Sequence, residues 1–163
     1  MKTLTARHYV SPRTRALSLD EQETRRLAYA IKTVRADSRD FAQAAMEMAR
    51  LVQTPCWLVP IPDRNGNTDA NAKLASHIAF YVGRGAQVAN ALQRTEPIKS
   101  QCERHKLALG PISPDQHHFK RTGRPLALRQ VYFVDNVTTS GSTLQAAHNA
   151  FGCGAGLVFA DAR

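Results

Sequence analysis

Cysteine is scarce in this chain, acidic residues are outnumbered, and long apolar runs are missing. The three cysteines, Cys56, Cys102 and Cys153, stand far apart with no CxxC pair. An odd, scattered set excludes a disulfide framework and a structural zinc site, so reduced thiols in the core or on loops are expected. His117-His118 has no partner at a metal-binding spacing, and no HExxH occurs. No apolar stretch approaches the roughly 20 residues of a membrane span. The opening MKTLTARHYVSPRTR lacks the apolar core of about 7–15 residues that a signal peptide carries. A cytoplasmic protein without membrane contact is the expectation. With 13 acidic residues against 22 Lys and Arg, the formal charge is +9. Such a surface attracts polyanions: phosphorylated small molecules, nucleic acid or an acidic protein. The 163 residues suit a single domain built around one core.

Residues 1–18 read as an irregular basic arm containing Ser11-Pro12, and residues 1–26 as an arm leading into a helix. Ser18, Asp20, Glu21 and Glu23 precede Leu27, Ala28 and Ile31. That order puts carboxylates in a first helical turn, where the helix dipole favours them. The run Leu27 to Val34 suits a first strand equally well. Ser38 caps a clearer helix with Phe41, Ala45, Met48 and Leu51 on one face, stopped by Pro55. Cys56 to Val59 is a continuous apolar run between prolines, the pattern of a buried parallel strand. A helix from Asp69, with Leu74, Ile78 and Tyr81 inward, ends at Gly83 and Gly85, and Val88 to Leu92 is a weak strand candidate. Residues 94–125 are basic and broken by prolines and glycines, with a short helix expected over Ser100 to Leu109. A segment this irregular suggests a flexible hood that closes over a ligand. Val131 to Val134 is the strongest strand, followed by a helix from Ser142 to Phe151 and a last strand, Gly156 to Ala160. This alternation predicts an α/β domain with a parallel sheet flanked by helices.

The segment VYFVDNVTTSGSTLQAA carries the chemistry. Asp135 follows four apolar residues, at the end of a strand where ligands bind in open α/β sheets. Thr138, Thr139, Ser140, Gly141, Ser142 and Thr143 then run into a helix. Hydroxyl donors, backbone N–H groups and a helix N-terminus converge there, which suits a phosphate dianion. Gly141 lets the backbone approach without a Cβ in the way. Asp135 is placed to accept hydrogen bonds from ribose hydroxyls. A Walker loop is excluded, since no GxxxxGKS/T is present.

VDNVTTSGST resembles the phosphoribosyl pyrophosphate (PRPP) signature of type I phosphoribosyltransferases. Ile31-Lys32, WLVPIPDRNGN, LQRTEPIKSQCER and GLVFADAR are similar in order to segments of the ComF-like phosphoribosyltransferase domain, which covers residues 27–163. The resemblance implies that Asp135 and Asn136 hold the ribose and that Thr138 to Thr143 hold the 5-phosphate. Ile61, Pro62, Asp63, Arg64 and Asn65, in a loop running to Asn67, would bind pyrophosphate, with Arg64 as the neutralising cation. One peptide near Ile61-Pro62 would be cis. Residues 94–125 would be the hood, with Arg94, Lys99 and Arg104 as phosphate contacts. Mg²⁺ is the implied cofactor, met by Asp135 through the ribose. The implied activity is transfer of ribose 5-phosphate to a nitrogen acceptor with release of pyrophosphate, within nucleotide metabolism.

Two departures open an alternative. Asn136 stands where the family carries a second carboxylate, which removes negative charge beside a cationic transition state. A recognisable acceptor-binding segment is also missing. A weakly active or inactive phosphoribosyltransferase-like module therefore stands beside the enzyme reading, sensing PRPP or a nucleoside monophosphate in a nucleic-acid-linked process such as DNA uptake or defence. The acceptor base and the choice between monomer and dimer stay open.

Overall fold

The computed structural model describes residues 1–10, 15–99, 101–123, 126 and 129–162. Ser11-Pro12, Ser100, Arg124, Pro125 and Arg163 lie outside the described residues, as does the Cys102 side chain. The described chain forms a five-stranded parallel sheet in the order β1-β7-β6-β2-β3, with a small antiparallel pair, β4-β5, beside it. The large sheet holds β1 (Thr3–His8), β2 (Cys56–Pro60), β3 (Ala86–Val88), β6 (Gln130–Thr138) and β7 (Ala155–Asp161), while the pair is β4 (Leu92–Arg94) and β5 (Phe119–Arg121). The helices are α1 (Leu19–Ala30), α2 (Ser38–Ala49), α3 (Asp69–Val82), α4 (Gln101–Lys106) and α5 (Ser142–Phe151). None is long and apolar enough to cross a membrane.

Strand alternation builds two cores. Cys56, Leu58, Tyr132, Val134, Leu157 and Phe159 point to one face and pack with α1, α2 and α3. Their neighbours Val59, Val131, Phe133 and Val158 point to the other, where Leu144, Ala147 and Phe151 of α5 and Leu92 of β4 cover them. Covering on both sides explains why these strands read as unbroken apolar runs.

The N-terminal segment departs from the expected irregular arm. Residues Thr3–His8 are a strand, paired parallel with β7 from Thr3↔Gly156 to His8↔Asp161. Arg7 fixes it to the helical layer: its guanidinium donates to both carboxylate oxygens of Glu47, at 2.6 and 2.7 Å, and to Thr24 Oγ1 at 3.1 Å. Its apolar alternation is only Leu4 and Ala6, which pack against the core, too short a pattern beside Arg7 and His8 to stand out from an arm.

Other boundaries also shift. Leu27 lies in helix α1, capped by a reciprocal Ser18–Glu21 box, so the helix prevails over the first-strand alternative. Asp37, not Ser38, caps α2, accepting from Arg39 N. Tyr81 is exposed, whereas Leu74 and Ile78 are buried. The Val88–Leu92 candidate resolves into the ends of two strands in different sheets, β3 and β4. The cis peptide among the described residues is Thr54–Pro55, so Ile61–Pro62 is trans. The stretch expected as a hood holds short regular elements among its described residues: the end of β4, α4, a 3-10 turn at Pro114–His117, and β5.

Candidate functional site

The chain leaves β2 through α3 toward β3 and leaves β6 through α5 toward β7, in opposite directions across the sheet. The loops after β2 and β6 therefore part from each other, and a crevice opens between them, the usual ligand position in such sheets. A cavity of about 840 Å³ occupies that crevice. Its floor is the end of β6, one wall is the Ile61–Asn67 loop with the start of α3, and the opposite wall is the loop leading into α5.

Strand β6 runs on past Val134, so Asp135, Asn136, Val137 and Thr138 all belong to it. The neighbouring β2 stops at Pro60, opposite Val134, and the Asp135 side chain faces the opening left beyond it. Asp135 Oδ1 accepts from its neighbour's N–H, Asn136 N at 2.8 Å, and from Asn71 Nδ2 at 3.3 Å. Asn71 Nδ2 also donates to the Ile61 carbonyl at 2.8 Å, so one amide ties the β2 loop to the β6 carboxylate. Burial pushes the Asp135 carboxyl up to about 6, against the opposing pull of those donors and of Lys32 and Arg94. Asn136 turns its Oδ1 back to Val137 N at 2.9 Å. Asn71 was not singled out from the sequence. An asparagine early in a helix reads as ordinary polar surface, and only the fold brings it to Asp135.

Thr139, Ser140, Ser142 and Thr143 line the facing wall, whereas Thr138 is buried at the strand end and lies outside the lining. Gly141 occupies the N-cap of α5 at φ 78°, a left-handed conformation that glycine adopts without strain, and offers no side-chain cap, while Ser140 Oγ accepts from Ser142 N at 3.3 Å. The first intrahelical bond is Gln145 N to Gly141 O. The N–H groups of Thr143 and Leu144 therefore have no intrahelical acceptor, and the positive end of the helix dipole faces the cavity wall. This is the chemistry of an anion cup.

The loop after β2 is wound round Asp63. Its Oδ1 accepts from Asn65 N at 2.8 Å and Asn67 N at 2.9 Å, and its carbonyl accepts from Arg94 Nε at 2.8 Å. Ile61, Pro62, Asp63, Arg64 and Asn67 line the cavity, and Asn65 is exposed outside the lining. Arg64 is exposed and pairs with Glu103 of α4 at 3.1 Å.

The three expected hood cations separate. Lys99 lines the cavity. Arg104 lies outside the lining and donates to Gly110 O at 2.8 Å. Arg94 is buried in β4, with its guanidinium 4.4 Å above the Phe119 ring and donating to the carbonyls of Asp63 and His117. Burial lowers it to about 10, offset in part by Asp63 and Asp135. Arg94 thus faces the cavity as a fixed part of the scaffold, not as a loop charge. His117, noted in the sequence only as half of a pair without metal spacing, also lines the cavity.

Compared with models of known protein families and with curated proteins, the chain matches none.

Proposed function

We propose that this cavity is a phosphoribosyl site of the type I phosphoribosyltransferase kind, and that the protein transfers ribose 5-phosphate from PRPP to a nitrogen acceptor. The observation that carries the reading is the meeting, at one crevice, of the Asp135 carboxylate and the glycine-capped N-terminus of α5. In this reading the 5-phosphate sits in the Thr139–Thr143 cup and the ribose hydroxyls donate to Asp135. The pyrophosphate lies along the Asp63–Asn67 loop near Arg64 and Lys99. The bond from C1 to the pyrophosphate oxygen breaks with its electron pair, and the lone pair of the acceptor nitrogen makes the new bond to C1. The nitrogen's proton passes to solvent or the leaving group, since no side chain is assigned as base.

Mg²⁺ is the cofactor that goes with this reading. It favours oxygen ligands and keeps several waters, binding through one or two carboxylates plus substrate phosphates. Asp135 fits that demand: both of its hydrogen bonds from described residues fall on Oδ1. When bound, the ion would supply charge neutralisation on the diphosphate.

Asn136 favours a second reading, a phosphoribosyltransferase-like sensor that binds the ligand without turning it over, in a nucleic-acid-linked process. A neutral amide brings no negative charge to the ribose, and its oxygen is already engaged by Val137 N. Calorimetry with PRPP, with and without Mg²⁺, followed by pyrophosphate release against a panel of bases, separates the two. Binding with release supports the transferase, and binding without release supports the sensor. Absence of heat at millimolar PRPP, together with no rise in melting temperature, sinks both.

A further inference from the structure

His117 sits at the end of the 3-10 turn Pro114–His117, more than twenty residues in sequence from the anion cup, yet it meets it. Its side chain is 3% exposed, and its Nε2 lies 3.1 Å from Ser142 Oγ. Other parts of the same stretch hold the His117 ring and backbone in place. The His117 ring stacks on Phe119 with centroids 5.7 Å apart, Arg94 covers the same Phe119 ring, and the His117 carbonyl accepts from the Arg94 guanidinium. The next residue, His118, takes a left-handed φ of 51°, and its carbonyl accepts from Thr95 N at 2.9 Å and Thr95 Oγ1 at 3.1 Å.

We propose that His117 is a positioning residue of the phosphate cup, donating from Nε2 to Ser142 Oγ so that the Ser142 hydroxyl proton is aimed at the bound phosphate monoester. The proposal rests on the phosphoribosyl reading of the cavity and adds to it a residue from outside the loop signature.

The hydrogen-bond inventory selects the direction of that bond. Burial, with the nearby charges of Arg94 and His118, keeps the ring neutral at physiological pH by holding it down to about 4. A neutral imidazole carries one N–H and one lone pair. His117 Nδ1 is buried and has no partner. A buried donor without an acceptor is the rarer and costlier defect of the two. The proton therefore belongs on Nε2, facing Ser142. Ser140 Oγ is also 3.0 Å from Ser142 Oγ. A phosphate dianion accepts hydrogen bonds and donates none, so in the filled cup both serine hydroxyls turn their protons to it. Ser142 Oγ then has its lone pairs free to accept from His117. Without the imidazole, no other described residue of the hood holds the Ser142 hydroxyl in that orientation.

The test is calorimetry of the full chain with ribose 5-phosphate, with ribose as the control that lacks the phosphate. Ser142→Ala and His117→Phe should each weaken ribose 5-phosphate binding by about tenfold, the scale of one hydrogen bond to a charged group. The double variant should be no weaker than the poorer single one, because the two residues act as one unit. His117→Gln carries an amide N–H at the reach of Nε2 and should recover most of the affinity. Ribose binding should not move in any variant. Additive losses, equal losses for ribose and ribose 5-phosphate, or wild-type affinity in His117→Phe would each overturn the proposal while leaving the phosphoribosyl reading intact. A wild-type chain that binds neither ribose 5-phosphate nor inorganic phosphate would overturn that reading and this proposal together. Should His117→Phe fail to fold, imidazole ¹⁵N NMR of the wild-type protein saturated with ribose 5-phosphate decides the matter. An Nε2–H tautomer at His117 supports the role and an Nδ1–H tautomer excludes it.

Discussion

Asp135 pays in stability for its place at the cavity. Its carboxyl is raised to about 6 from 3.8 by burial. A carboxyl that titrates higher in the folded than in the unfolded chain binds its proton more tightly in the fold. The empty protein therefore loses stability as pH rises between these two values, and the loss is complete above the higher one. Asp135→Asn should melt higher than the parent at pH 8, with the difference vanishing toward pH 4, when both are scanned without ligand or divalent cation. The same change should weaken PRPP binding, as Asp135→Ala should by far more than Asp115→Ala, whose parent residue is exposed on the 3-10 turn. Equal affinities for the two alanine variants would remove Asp135 from the site. Asn136→Asp tests the missing charge: pyrophosphate release at saturating PRPP should rise with little change in affinity. A slower variant would mean that asparagine is matched to this protein's own chemistry. The sequence disclosed Asp135 and the hydroxyl loop because both lie within one contiguous motif. It did not disclose Asn71 and His117, whose roles depend on side chains brought together from far along the chain.

Among the elements, the β4-β5 pair is the one whose purpose the sequence concealed. Three-residue strands leave no periodicity to read, and Arg94 and Phe119 look like loop residues until they face each other across the ladder, where they are directly paired. Arg94→Ala removes a stacked guanidinium, strands the His117 carbonyl and leaves the Asp63 carbonyl with Gly66 N alone, and should cost about 2 kcal/mol in urea unfolding. Arg104→Ala, at a half-buried position of α4 outside the cavity lining, should stay within about 0.5 kcal/mol. A similar cost for both would mean that Arg94 is as dispensable as a surface charge. By contrast α2, α3 and α5 and strands β2 and β6 were legible from their apolar patterns, although β6 runs on to Thr138, past the apolar run that disclosed it. Even there the adjacency of β2 and β6 could not be read, although that pairing creates the crevice. Sequence pattern fixes what each strand buries and leaves open which strand it lies beside.

For the molecule as a whole, the excess of positive charge and the cavity make separate demands. If the +9 charge engages nucleic acid as well as small phosphates, oligonucleotide affinity should fall linearly on a log–log salt plot, with a slope set by the phosphates neutralised. Replacing Lys120, Arg121 and Arg124 together by alanine should flatten that slope while sparing PRPP binding, as read by gel shifts across a salt series. An unchanged slope would take this stretch out of any nucleic-acid contact. Arg121 has a second engagement, 4.9 Å over the Phe151 ring, so the single change Lys120→Ala is the cleaner control for lost packing. The pairing of Thr3 with Gly156 has a consequence in time. β1 has its sheet partner in β7, the described strand furthest from it along the chain, and at about 5–20 residues per second a ribosome keeps β1 waiting on the order of ten seconds. Through that interval the nascent chain carries an open strand edge that any other copy could fill. The hazard is greatest on crowded messages, where neighbouring ribosomes hold unfinished copies side by side.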